Sequence, residues 1–370
     1  MTFCLDARTA RDHFPGVGRY VFNLARALAP CLDPSERLIV LHDAAPGDSW
    51  KLHRLTEAGL QLVDAPISPF DLRQQWHIPR LLRRLGIHTY HSPYYLMPVR
   101  SGVPSVVTVH DVIPLRFPHY FGPRDRFIFQ AAIRLAVRAA RLVIAVSATT
   151  ASDLTEFVGV PAERLVVIHE AADPEMTPQP ETAVASLRTR LSLPERYVLY
   201  FGANKPHKNL VRLVEAWARV QPRPEVLVIA GSWDRRYPEA RQRVIELGMN
   251  DSVRFLGPVA AADVAALYTG ALLFVFPSEY EGFGLPVIEA MACGVPVACA
   301  DTPALTEIAA DGARRFDPRD RDAIAATIEC VLRDATLRAD LAERGRHRAI
   351  QFSWTDAARR TLAVYRSMTI

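Results

Sequence analysis

Lysine is nearly missing from this 370-residue chain. Among 44 lysines and arginines, lysine supplies Lys51, Lys205 and Lys208 alone, and two of these fall within four residues of each other. An arginine bias reflects overall composition, so the paired lysines are the feature to follow. Cysteine is scarce too. Cys4, Cys31, Cys293, Cys299 and Cys330 are scattered, odd in number and without a C-x-x-C pair, which argues against a disulfide framework and against a cysteine zinc site. Buried free thiols are expected. No apolar run approaches the ~18–20 residues of a membrane span. The start, Met1-Thr2-Phe3-Cys4-Leu5-Asp6, lacks the basic stretch and apolar core of a secretory signal, so a cytoplasmic protein is expected. A net charge of +4 is too dilute for nucleic acid, and no aromatic-basic platform accompanies it.

What is present is the balance of a globular protein, 49% apolar and 23% charged, at a length that suits two domains of roughly 150–200 residues. Short β-branched runs alternate with helical stretches, as in parallel α/β layers. Strands are expected at 37–42, 89–92, 105–110, 142–147 and 165–169, then at 197–202, 225–231, 253–256, 272–277 and 295–300. Helical spacing joins Val21, Leu24, Ala25 and Leu28, and again Leu210, Leu213, Val214 and Trp217. Pro174, Pro178 and Pro180 crowd a polar stretch that reads as a linker. The expected division is 1–176, 177–352 and a final helix within 353–370 that returns to the first domain. Two Rossmann-like halves would leave a ligand cleft between the carboxyl ends of their sheets.

The most informative segment runs Phe276-Pro-Ser-Glu-Tyr-Glu-Gly-Phe-Gly-Leu-Pro-Val-Ile-Glu-Ala-Met-Ala-Cys-Gly-Val-Pro-Val297. It reads as a buried strand, a glycine-bearing loop, and a helix that opens at Pro286 and ends at Gly294. Gly282 and Gly284 let the backbone approach a ligand, and unpaired amides at a helix start cradle phosphate. Glu281 stands before the loop and Glu289 in the first helical turn, where carboxylates can accept hydrogen bonds from sugar or ribose hydroxyls. Two bland readings compete: Ser278 and Glu281 fit a capping box, and Glu289 could complement the helix dipole.

This segment resembles the E-x7-E motif of glycosyltransferase family 4, with Glu281 and Glu289 as its glutamates around E-G-F-G-L-P. The similarity runs along the whole chain. It implies an α/β fold of the GT-B kind, with the donor held mainly by the second domain. By that resemblance Glu289 would hold the donor ribose and Glu281 would contact the transferred sugar. The amides of Phe283, Gly284 and Leu285 would approach sugar hydroxyls and diphosphate.

Four further stretches resemble parts of the same family. Gly202-Ala-Asn-Lys-Pro-His-Lys-Asn-Leu210 matches a loop that commonly reads P-R-K-N. Lys208 takes the lysine position and His207 the arginine one, with Lys205 as a second cation for the departing diphosphate. Phe14-Pro-Gly-Val-Gly-Arg-Tyr20 resembles a glycine loop that would bring Gly16 and Gly18 to the β-phosphate; a plain turn is the alternative. His110, ending a strand, would by this resemblance be an active-site histidine, a satisfied structural residue being the alternative, with Asp111 orienting it or capping the next turn, and His91 and Ser92 behind. Glu307 resembles an acidic residue beside the donor pocket. Asp320-Arg-Asp322 copies a metal signature of another glycosyltransferase fold, but at an expected helix start it reads as a cap.

The resemblance thus implies a retaining hexosyltransferase with a nucleotide diphosphate sugar as donor and a saccharide or lipid-linked saccharide as acceptor. Glu281, His110 and Lys208 are the expected catalytic residues. GDP-mannose is the favoured donor, with UDP- and dTDP-sugars open, and neither a cofactor nor a metal is expected. A sugar-nucleotide epimerase and a silent sugar-nucleotide-binding subunit are the rival readings. Pyridoxal chemistry is opposed by the shortage of lysine. Arginines beside apolar residues at 73–85 and 124–141 leave two readings open, a solvated helix face or peripheral contact with an anionic inner membrane.

Overall fold

The computed structural model describes residues 1–11, 15–44, 50, 52–221 and 224–368. They form two compact units, Met1–Glu170 with Ser353–Ile370, and Ala171–Phe352. The chain therefore leaves the first unit at Glu170, a little before the prolines that suggested a boundary at 176.

Seven strands build the first unit's sheet: β1 (Thr2–Asp6), β2 (Arg37–His42), β3 (Gln61–Asp64), β4 (Thr89–Ser92), β5 (Ser105–Val109), β6 (Leu142–Ala145) and β7 (Leu165–Val167). They pair in parallel in the order β3-β2-β1-β4-β5-β6-β7. Six strands build the second: β8 (Tyr197–Phe201), β9 (Val226–Ala230), β10 (Val253–Gly257), β11 (Leu273–Phe276), β12 (Val297–Ala300) and β13 (Ala313–Phe316). Their order is β10-β9-β8-β11-β12-β13, again parallel. Helices cover both faces of such sheets, so the central strands are buried; β4, β5 and β12 are buried at every residue, β4 and β5 with polar side chains among them. In each sheet the strand order reverses beside the unit's first strand, between β1 and β4 and between β8 and β11. Ligands of open parallel sheets bind outside the carboxyl ends at that reversal.

Ten strands match the sequence reading to within two residues at either end; β1, β3 and β13 are additional. The helix Trp354–Ser367 is capped by Ser353, whose Oγ accepts from the Asp356 amide at 3.0 Å. It belongs to the first unit and buries Trp354, Leu362, Tyr365 and Met368 there, each worth about 1.5–3 kcal/mol. Arg366 on the same helix meets both Glu36 oxygens at 2.8 and 2.7 Å. Cys4, Cys293 and Cys299 are buried, whereas Cys31 is half-buried and Cys330 exposed, so the expectation of buried thiols holds for three of the five. Among the described residues no helix is long and apolar enough to cross a membrane.

Candidate active site

β8 and β11, the strands at the second sheet's reversal, each end in a loop carrying expected site residues. The loop after β8 ends at Asn209, held at a φ of +60°, a conformation asparagine tolerates better than most residues. Its Nδ2 donates to the carbonyls of Pro277 at 3.1 Å and Pro318 at 2.7 Å. From the loop after β11, Ser278 Oγ and the Glu279 amide donate to the His207 carbonyl at 3.2 and 2.8 Å. These cross-links hold the loops together and bring Lys208 Nζ onto both oxygens of Glu281, at 2.6 and 2.8 Å. The same ammonium lies 5.3 Å from the centre of the Phe276 ring, within cation–π range. With side chains 17% and 11% exposed, the pair is shielded but still open to solvent. Ser278 donates to the carbonyls of His207 and Tyr280 rather than capping a helix.

The other basic residues of the β8 loop behave differently. His207 is buried, and burial, then the charges of Lys208 and Lys205, push its pKa well below the ordinary histidine value. Its ring is neutral near pH 7. Lys205 turns to Asp234, at 2.6 Å, and lies over the Tyr237 ring. Of the three, Lys208 alone stands with Glu281.

The helix Leu285–Ala292 starts behind Gly284, whose φ is +112°. A Cβ there would also lie 2.7 Å from Leu305 Cδ2, so both backbone and space call for glycine. Pro286 occupies one of the first two helical positions, where no amide partner exists. Phe283 is buried with its ring edge-on to Phe352, and Leu285 begins the helix half-buried. Glu289 falls in the second turn rather than the first and is fully buried. Tyr268 Oη donates to its Oε2 at 3.4 Å. A dipole role at the helix start is thereby removed, since that effect fades beyond the first turn. Glu307 is half-buried on the helix Pro303–Ala309, its carbonyl held by Arg348 at 2.7 Å. Asp320 is a cap, its Oδ1 accepting from the Asp322 and Ala323 amides at 2.8 and 3.1 Å. Among the described residues no three His, Cys, Asp or Glu side chains gather as a metal site.

In the first unit, the strands at the reversal end in polar clusters. Beyond β1, the buried Arg8 guanidinium donates to Asp6 Oδ1 at 2.9 Å and Oδ2 at 2.6 Å, and to the Ile67 carbonyl at 2.9 Å. Tyr90 Oη donates to the same carboxylate at 2.5 Å. At the end of β4, His91 Nδ1 pairs with Tyr365 Oη at 2.6 Å and Nε2 with Thr108 Oγ1 at 2.8 Å. Burial, reinforced by the nearby charge of His110, brings its pKa down to about 3. His110 follows β5. Its Nδ1 is 2.9 Å from Glu170 Oε1 and its Nε2 is 3.1 Å from the Pro93 carbonyl. Tyr20 meets the ring edge-on, with centroids 4.9 Å apart.

The structure decides between the two readings of Asp111 and changes that of the glycine stretch. Asp111 caps the next turn, accepting from the Ile113 amide at 3.1 Å, and Glu170 takes the orienting place beside His110. Gly16 and Gly18 form no loop, because both lie in the helix Pro15–Leu28. Gly16 is exposed with open space around it, whereas a Cβ on Gly18 would run into the Trp50 indole. Phe14 of that motif, like Lys51, lies outside the described residues. Glu170 had one sequence signal: an acidic residue just past a strand, on the ligand side of a parallel sheet and directly before the linker.

Comparison with known proteins agrees with this geometry. Residues 15–176 match the model of Glycosyltransferase Family 4, and residues 187–348 that of Glycosyl transferases group 1. O-antigen chain mannosyltransferase B of Escherichia coli is 29% identical over 374 residues, covering 95% of this chain and 96% of that protein. D-inositol 3-phosphate glycosyltransferase of Salinispora arenicola (strain CNS-205) is 33% identical over 305 residues, covering 74% of this chain and 67% of that one. Anabaena Alr3699/HepE, solved in complex with UDP and glucose, shares the fold with a TM-score of 0.79 at 21% identity, over 99% of both chains. With two parallel Rossmann-like units and family models matching both, the chain belongs to glycosyltransferase family 4, as a GT-B enzyme that transfers hexosyl groups.

Proposed function

We propose that the chain transfers a hexosyl unit, mannosyl before others, from a nucleotide diphosphate sugar to a hydroxyl of a saccharide or lipid-linked saccharide, with retention at the anomeric carbon. The observation that carries this reading is the Lys208–Glu281 pair, a cation and a carboxylate held together at the sheet reversal. Lys208 serves the departing diphosphate and Glu281 a hydroxyl of the transferred sugar. The bond from the anomeric carbon to the phosphate oxygen breaks, the acceptor oxygen bonds to that carbon on the same face, and its proton passes to a phosphate oxygen. Stabilising the charge on the leaving group is then the main task of the protein. In the first unit, His110 and the amides at Gly16 and Gly18 are the candidates for substrate contact. No divalent metal is needed in this scheme, and turnover assayed with and without chelator is expected to agree.

Mannose is preferred because a mannosyltransferase from Escherichia coli aligns with nearly the whole chain. Thermal shift with GDP, UDP, dTDP and ADP tests the donor. GDP is expected to stabilise most, by about 2.7 kcal/mol at 100 times its dissociation constant. Glu289→Ala should abolish most of that shift if Glu289 holds the ribose by a charge-assisted hydrogen bond. An unchanged shift in the variant removes Glu289 from the site, and no shift with any nucleotide removes the donor reading itself.

The acceptor side is proposed to rest on an anionic membrane. A solvated outer face should be polar, yet the helix Pro123–Ala139 is apolar on two sides. Phe129, Ile133, Ala136 and Val137 face the core, while Phe127, Ile128 and Leu135 are exposed at 71%, 51% and 47%. Arg124 and Arg138 extend the exposed stripe at helical spacing. Phe70, Leu72 and Trp76 are a second exposed apolar group, next to Arg73. Apolar side chains entering the interface beside arginines suit anionic lipid. In flotation assays the protein is expected to rise with anionic but not neutral liposomes, less at physiological salt, and less again for Phe127→Ser. Equal, negligible binding to both would leave a soluble saccharide as the acceptor.

A further inference from the structure

His91 and His110 stand at the ends of neighbouring strands and meet opposite surroundings. His91 has a hydroxyl at each ring nitrogen, from Tyr365 and Thr108. A hydroxyl can donate or accept, so a neutral ring is satisfied there. His110 has an acceptor at each nitrogen. The Pro93 carbonyl can only accept, which requires a proton on Nε2. Glu170 Oε1 faces Nδ1 at 2.9 Å from a side chain 4% exposed. A carboxylate buried so deeply without a partner would be costly, and a second ring proton supplies that partner.

We propose that Glu170 is a positioning residue that keeps His110 doubly protonated, so that the reaction uses His110 as a fixed cation and not as a base. With both nitrogens donating, the ring has no lone pair to take the acceptor's proton. That proton must leave by another route, which agrees with its transfer to the departing phosphate. The cation in turn adds positive charge where the first unit meets the substrate. This inference rests on the reading of His110 as a substrate-facing residue.

The surroundings are consistent with a charged ring. Burial opposes the charge, but the hydrogen bond and negative charge of Glu170, followed by Asp111 and the Pro93 carbonyl, outweigh it and raise the His110 pKa. Of the other titratable groups facing it, His91 is neutral and Tyr20 meets the ring through its edge, its own pKa raised chiefly by burial. A raised pKa keeps the cation to higher pH than in a free histidine. Removing the Glu170 charge lowers that pKa, so activity carried by the cation is lost at lower pH.

The test combines Glu170→Gln and Glu170→Asp in the full-length protein. Nitrogen NMR of histidine-labelled protein should show both His110 nitrogens protonated at pH 7.5 in the parent and in Glu170→Asp, but not in Glu170→Gln; His110→Gln assigns the signal. The alkaline limb of kcat for Glu170→Gln should move down by about one pH unit, a tenfold change in proton affinity, with donor KM little altered. Glu170→Asp should recover most of the parent profile, which a merely structural loss would not do. A neutral His110 ring in the parent at pH 7.5 overturns the proposal. A ring that changes as expected while the kcat profile stays in place overturns the catalytic use of the cation. In that case the glycosyltransferase reading still stands on Lys208, whose variant is assayed separately.

Discussion

Lys208→Ala is expected to lower kcat by about 10²–10³-fold, on the order of 3–4 kcal/mol of transition-state stabilisation, while donor KM changes far less. In the proposed reaction the charge facing Lys208 grows as the sugar–phosphate bond breaks, so its contribution would fall mainly on the transition state. Its neighbours cannot take over. His207 is buried and neutral, and Lys205 is held by Asp234. A separate, smaller cost falls on donor binding, because Glu281 keeps its carboxylate within a loop that has lost its cation. Glu281→Gln in the Lys208→Ala background should therefore regain part of donor binding without regaining turnover. Single-turnover kinetics with the four combinations separates the two effects. A change confined to KM would make Lys208 a ground-state binder and shift leaving-group stabilisation to the helix amides.

Much of the candidate site's geometry is legible in the sequence because it is local. Glu281, Gly284, Pro286 and Glu289 lie on one strand–loop–helix turn, where spacing alone brings the residues together. The Lys208 loop was legible for the same reason, as a strand end followed by a helix start. What escaped depends on contacts between distant segments. Glu170 reaches His110 across 60 residues, and Tyr365 reaches His91 across 274. Neither residue type nor spacing announces such a pair. The missed strands have different causes. β3 and β13 are sheet edges with mostly part-exposed or exposed side chains, so the apolar alternation that marks a strand is weak in both. β1 is central and largely buried, but its five residues include Thr2 and Asp6 and leave a short apolar run of three. The Gly16–Gly18 stretch reads as a loop through its resemblance to a family motif, whereas both glycines lie in a helix and a Cβ on Gly18 would meet Trp50, 32 residues away in sequence.

Asp6→Ala should destabilise the first unit by about 3–5 kcal/mol, the usual cost of breaking a buried ion pair from one side. Arg8 and Asp6 are 0% and 4% exposed in their side chains, so water cannot replace the lost partner. The guanidinium would keep its hydrogen bonds to the Ile67 carbonyl and to Gln74 at 3.2 Å, but lose the charge that balances it. Tyr90 would lose the acceptor for its hydroxyl in the same step. Arg8 also ties β1 to the segment around Ile67 and Gln74, so the loss would reach that segment as well. Replacing both partners, as Asp6→Leu with Arg8→Met, should cost less than Asp6→Ala alone, because no unpaired charge is left inside. Urea unfolding followed by near-ultraviolet circular dichroism would rank the variants. A cost for Asp6→Ala below about 1 kcal/mol would mean that the pair is not balancing a buried charge. Because the network lies wholly within the first unit, the GDP binding proposed for the second should survive in every variant below its unfolding midpoint. Loss of GDP binding in folded Asp6→Ala protein would show that the first unit's β1 loop takes part in holding the donor.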